Sequence, residues 1–172
     1  MVGEDIKDLE RFFYRYINFE DRDNTDRTLI LGIGNYLMGD EGIGVHSIHF
    51  LSKKQLPENI DIVDGGTGSF DLMPLIASYK KVIMIDATMD EKPVGTIKVL
   101  YPKFAKDFPR TLSSHDVGLK DMIDALEFNG ELPEISLITV TIGEIVPMTT
   151  ILSDEVRAIL ENIYIALADV IK

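Results

Sequence analysis

The chain contains no cysteine. That absence removes disulfides, thiolate zinc sites and cysteine nucleophiles together. No apolar run reaches the roughly 18 residues that a membrane-spanning helix needs. Charge begins at Glu4, which does not fit the opening of a signal peptide. Basic residues are scarce: 17 Lys and Arg stand against 29 Asp and Glu, for a net charge of −12. Phosphate contacts need clustered Lys and Arg, so nucleic acid is excluded as a partner. Insertion into, or adhesion to, an anionic membrane is excluded with it. There is no internal repeat and no low-complexity segment. These absences read as a cytoplasmic protein. The 172 residues, 45% of them apolar, suffice for one packed domain.

Residues 1–26 differ from the rest. Ile6, Leu9, Phe12, Phe13, Tyr16 and Ile17 recur at helical spacing and predict an amphipathic helix. The polar run Glu20–Asp26 then reads as a linker. The apolar face of such a helix would cover the core or support a homodimer.

From Arg27 onward, strand and helix patterns alternate. Thr28–Ile33, Asp61–Val63, Lys81–Ile85, Val94–Leu100 and Ile135–Ile142 read as strands. Helices are predicted over Gly42–Lys54, Phe70–Tyr79, from His115 or Asp116 to Phe128, and over Ser153–Ile171. This order predicts an α/β protein, a three-layer α/β/α sandwich on a mostly parallel sheet. Val94–Leu100 starts only about eight residues after the preceding strand, too few for a parallel crossover, so it should run antiparallel.

The most telling stretch is Leu29–Val45, a buried strand that enters a glycine-rich turn and then a helix. Such turns usually cradle phosphate. Here Gly34-x4-Gly39 opens like a P-loop, but Asp40-Glu41 occupies the place of Lys-Ser/Thr. Leu37 stands where the dinucleotide fingerprint needs its third glycine. This turn should repel phosphate and attract a cation.

Other carboxylates fall at the same edge of the sheet. Asp64 ends the second predicted strand, Asp86 follows the third, and His115 lies on a loop that can reach them. Carboxylates with one imidazole suit Zn²⁺, Ni²⁺ or Mn²⁺. Each residue also has a purely structural reading. Asp40 or Glu41 at a helix N-terminus gains a few tenths to about 1 kcal/mol from the macrodipole. Asp64 before two glycines fits a turn whose side chain bonds backbone N–H groups. His115 fits the first turn of a helix. Asp86 at the end of a buried strand needs a partner in either case. His46 and His49, three apart on the first helix, read as a surface or groove-facing pair.

Taken together, these residues resemble the hydrogenase maturation endopeptidases. The resemblance rests on Leu31-Gly32-Ile33-Gly34-Asn35 with Gly39-Asp40-Glu41-Gly42-Ile43-Gly44, and on Asp64-Gly65-Gly66-Thr67. It rests also on Ile85-Asp86-Ala87 with Pro93-Val94-Gly95-Thr96, and on Ser114-His115-Asp116-Val117-Gly118-Leu119. The motifs run in order over residues 27–172, the implied protease domain, with residues 1–26 as an addition. The resemblance implies a five-stranded sheet with one antiparallel strand. It implies an endopeptidase, aspartic-type or metal-dependent, that removes the C-terminal extension of a [NiFe] hydrogenase large-subunit precursor after nickel insertion. Glu41, Asp86 and His115 would be the metal-binding and catalytic residues, with Asp40, Asp64, Gly65, Gly66 and Thr67 against the substrate tail. The nickel would come with the precursor, and zinc or cadmium would occupy the site in the isolated protein. Two alternatives use the same residues. One is a nickel-site docking module or chaperone that cuts nothing. The other is a Mg²⁺-binding phosphoacceptor domain, against which Thr141–Pro147 supplies an acidic residue and no lysine.

Overall fold

A computed structural model describes residues 24–68, 70–109 and 116–171. The predicted N-terminal helix and His115 both lie outside the described residues. Five strands form one sheet: β1 (Thr28–Ile33), β2 (Ile60–Gly66), β3 (Lys81–Thr88), β4 (Ile97–Leu100) and β5 (Glu134–Thr141). Their order is β2-β1-β3-β5-β4. All neighbours pair in parallel except β4, which runs antiparallel to β5. The short connection after β3 therefore acts as its length predicts. Among the described residues, no helix is long and apolar enough to cross a membrane.

Side-chain alternation along the buried strands splits the core into two layers. On one face Leu29, Leu31 and Ile33 of β1 pack with Leu75 and Ile76 of helix α2 (Met73–Ala77) and with Met122 and Ile123 of helix α3 (Asp116–Phe128). On the other face Ile30 packs with Ile43 and Ile48 of helix α1 (Ile43–Leu51). That layer also takes Val156 of α4 (Asp154–Ala158) and Ile163 and Leu167 of α5 (Leu160–Ile171). Each fully buried Ile or Leu contributes roughly 1.5–3 kcal/mol. The result is the α/β/α sandwich that the strand–helix alternation predicts.

Several boundaries differ from the sequence reading, each for a local reason. The first helix is preceded by a separate 3-10 turn at Gly39–Gly42, and Gly42, at φ −76° and ψ 7°, ends that turn as the helix N-cap. The helix expected over Phe70–Tyr79 is a 3-10 turn, Phe70–Leu72, followed by α2, with Pro74 in the first turn. Proline lacks the N–H that a longer helix would use there. Ser153 lies outside the closing helix as its N-cap, with ψ 157°, and Ile159 divides that helix in two. Asp86 does not follow β3 but lies within it, opposite Thr139. Pairing with β1 stops at Gly32–Ile85, whereas pairing with β5 continues to Thr88–Thr141.

The amino-terminal edge of the sheet is locked by charge. Asp61, 2% exposed, accepts from Arg27 Nε at 2.6 Å and Nη2 at 2.8 Å, and from the Tyr79 hydroxyl at 3.0 Å. The bond to Asp61 also raises the Arg27 guanidinium above its ordinary pKa. Removing one member of a buried pair strands the other. Asp61→Ala should therefore lower the unfolding free energy by about 3–5 kcal/mol, measured by urea denaturation; a loss below about 1 kcal/mol would show that the pair is idle.

Candidate active site

The strand order reverses between β1 and β3. Ligand crevices in open α/β sheets form at that point, beyond the carboxyl ends of the strands. Close backbone approach builds the crevice wall. A Cβ on Gly44 would lie 2.1 Å from the Ile33 carbonyl oxygen and 2.4 Å from that of Ile85. Only glycine lets α1 begin directly against the ends of both strands. A Cβ on Gly34, at φ 142°, would likewise lie 2.2 Å from the Glu41 carbonyl oxygen. Asn35 Oδ1 accepts from Leu37 N at 3.0 Å and shapes the exit from β1.

These constraints put Glu41 in the 3-10 turn, fully buried and packed toward β3, which carries the equally buried Asp86. Asp86 Oδ1 accepts from the Ala87 N–H at 2.7 Å. Two carboxylates from packed segments are thus withdrawn from water. Burial of charge on this scale is costly unless cations or donors compensate it. Of the predicted ligands, Glu41 and Asp86 are buried on packed segments, and His115 is outside the described residues. Among the described residues no group of three metal-capable side chains forms.

Asp64 stands at the end of β2, partly exposed. Its Oδ1 accepts from Gly66 N at 2.9 Å, and its Oδ2 lies 3.4 Å from His49 Nε2. The first contact is the turn bond that its sequence position predicts. Gly65 is the extra residue where β1 and β2 slip register, and the Gly66 carbonyl accepts from Gly34 N at 2.9 Å. The Asp64–Thr67 segment therefore flanks the Glu41 turn, with Thr67 exposed. Asp40 behaves differently from its neighbour. Both of its oxygens accept from Ser153, one from the backbone N–H and one from the hydroxyl, each at 2.7 Å.

Ser153 was not singled out by the sequence, and no local signal could have found it, because 113 positions separate it from Asp40. The histidine pair is more engaged than its spacing suggests. The Tyr36 ring lies 4.7 Å from the His46 ring and 5.6 Å from that of His49. His46 Nε2 is buried without a hydrogen-bond partner. Burial lowers the His46 pKa below 6.5 and nearby His49 adds to this, while Asp40 and the Thr150 backbone act in the opposite sense.

Comparison with known proteins adds an independent line. A family model described as hydrogenase maturation protease matches residues 45–169. The chain is 37% identical over 111 residues to the hydrogenase 2 maturation protease of Escherichia coli K12, a stretch covering 63% of this chain and 68% of that protein. The fold is similar to the hydrogenase maturating endopeptidase HybD from E. coli, with TM-score 0.72, 33% identity and coverage of 83% of this chain and 93% of that one. It is also similar to the [NiFe] hydrogenase maturation protease HybD from Thermococcus kodakarensis, with TM-score 0.70, 25% identity and coverage of 85% and 99%.

The lowered His46 pKa makes stability depend on pH. Below pH 6.5 the unfolded chain binds a proton that the folded imidazole refuses, so His46 removes stability as the pH falls. Urea denaturation at about pH 7.5 and pH 5.5 should show a smaller acid-side loss for His46→Gln than for the wild type. Equal losses would refute this account.

Proposed function

The chain belongs to the hydrogenase maturation protease family, and from that premise we propose that it cuts the C-terminal extension from a [NiFe] hydrogenase large-subunit precursor only once nickel is in place. As a member of this family it is an endopeptidase, which removes the docking-module and phosphoacceptor alternatives. The observation that supports the nickel requirement is the burial of Glu41 and Asp86 on adjoining segments at the sheet's switch point.

Two buried carboxylates on packed segments suit a divalent ion delivered by the substrate. A precursor without nickel forgoes that attraction, so the same residues that bind the loaded substrate discriminate against the empty one. Glu41 and Asp86 supply oxygen ligands in this reading, and His115 supplies the nitrogen. Nickel held beside the scissile peptide also polarises its carbonyl or the attacking water. Water adds to the carbonyl carbon, the C–N bond breaks, and the leaving nitrogen takes up a proton. Asp64, Gly65, Gly66 and Thr67 flank the turn and line the path of the substrate tail.

The surface beside the turn suits a polypeptide substrate. Leu37, Val146, Met148 and Ile151 are all exposed, Met148 by 90%, and Met148 sits at a left-handed φ of 61°. They stand on two segments joined by the Thr149 N–H donating to the Leu37 carbonyl at 3.1 Å. Methionine adapts to irregular apolar partners.

The decisive experiment incubates purified protein with nickel-free and nickel-loaded precursor and follows the C-terminal mass of the precursor. Cleavage of the loaded form alone is expected; equal cleavage of both refutes nickel reading. Glu41→Gln keeps size and removes charge, and should slow cleavage of the loaded form by about 100-fold or more. Met148→Asp should raise KM for the precursor by about tenfold; an unchanged KM would remove the apolar surface from the reading.

A further inference from the structure

We propose that Asp40 and Ser153 form a positioning clamp that holds the Glu41 turn in its working geometry, and that Asp40 does not touch the substrate tail. The proposal rests on the endopeptidase reading above and deepens it. The Asp40 carboxylate is 8% exposed, and one residue takes both of its oxygens. Oδ1 accepts from Ser153 N and Oδ2 from the Ser153 hydroxyl, each at 2.7 Å. With both oxygens turned to Ser153 and the residue 8% exposed, Asp40 offers a substrate little open carboxylate surface. The Ser153 hydroxyl in turn accepts from Val156 N at 3.3 Å and caps α4. The clamp thus anchors the turn to the start of α4.

The turn needs such an anchor because its own bonding is weak. It is a 3-10 turn of four residues, and Met38 provides no side-chain cap. Its bond from Glu41 N to the Met38 carbonyl is 3.4 Å long. Two further backbone bonds tie the same segments together. Gly39 N donates to the Thr149 carbonyl at 3.0 Å, and Thr149 N donates to the Leu37 carbonyl at 3.1 Å. Those bonds fix the start of the turn at residues 37–39. The Asp40 side chain ties its middle to the C-terminal segment, one residue before Glu41. A backbone rotation at Asp40 carries the next peptide, and with it the buried Glu41 carboxylate, out of place. Positioning on this scale matters because a misplacement of about 1 Å can cost 100-fold in rate.

The test measures kcat and KM on nickel-loaded precursor, the affinity of the protein for nickel ion alone by calorimetry, and thermal stability. Ser153→Ala removes the hydroxyl and leaves the backbone N–H. It should lower kcat by about tenfold or more with KM little changed, and weaken nickel binding by about tenfold. Ser153→Thr restores the hydroxyl and should recover both. Asp40→Asn, which cannot accept through both terminal atoms, should repeat the Ser153→Ala pattern and serves in its place if that variant fails to fold. Wild-type kcat and nickel affinity in a folded variant that merely melts lower would overturn the clamp as a positioning device. A rise confined to KM would overturn it too, by showing that Asp40 meets the tail. If the wild type cuts no precursor, the endopeptidase reading fails separately. The calorimetric comparison of Ser153→Ala with Ser153→Thr then decides the clamp on its own.

Discussion

The withdrawal of two carboxylates from water at the parting of β1 and β3 is the constraint around which this molecule is arranged. Glu41 and Asp86 are both fully buried. Charge held in a low-dielectric interior is tolerated only with compensation. In the proposed reading, a substrate that brings a divalent ion adds to that compensation, and burial sharpens its selection. The same carboxylates on an exposed loop would be hydrated and screened, and would discriminate weakly.

Keeping them buried requires close backbone packing. The start of α1 rests on the carbonyls of Ile33 and Ile85, at distances that only Gly44 permits. The turn before it has little bonding of its own and borrows its rigidity from the C-terminal segment through Asp40 and Ser153. Opposite ends of the sheet carry different burdens. The Arg27–Asp61–Tyr79 cluster satisfies every charge it buries and serves stability. The carboxyl end concentrates buried acid, strained backbone at Met148 and exposed apolar side chains, features that serve binding at the expense of stability.

Much of this was legible in the chain. The alternation of apolar strands with amphipathic helices gave the three layers, and the shortness of the segment after β3 gave the antiparallel β4. Boundaries were harder where hydrogen bonding, not pattern, decides them. Asp86 belongs to β3 because β5 continues to pair beyond the point where β1 stops, and no residue near Asp86 announces that. Asp40 and Glu41 were indistinguishable as neighbouring acids, yet one is bonded to Ser153 and the other packs toward β3.

Sequence alone determined what is written in local spacing and residue type: the layer architecture, the glycine-rich turn, the Asp64 turn bond and the family motifs. These follow from periodicity, glycine conformational freedom and side-chain chemistry, which act over a few residues. Only the tertiary structure decided which distant groups meet. The Asp40–Ser153 pair spans 113 positions, the Tyr36 ring covers His46 and His49, and the Glu41 turn packs against the strand that carries Asp86. Such contacts depend on how whole elements stack, and burial and hydrogen-bond geometry become defined only after that stacking has occurred.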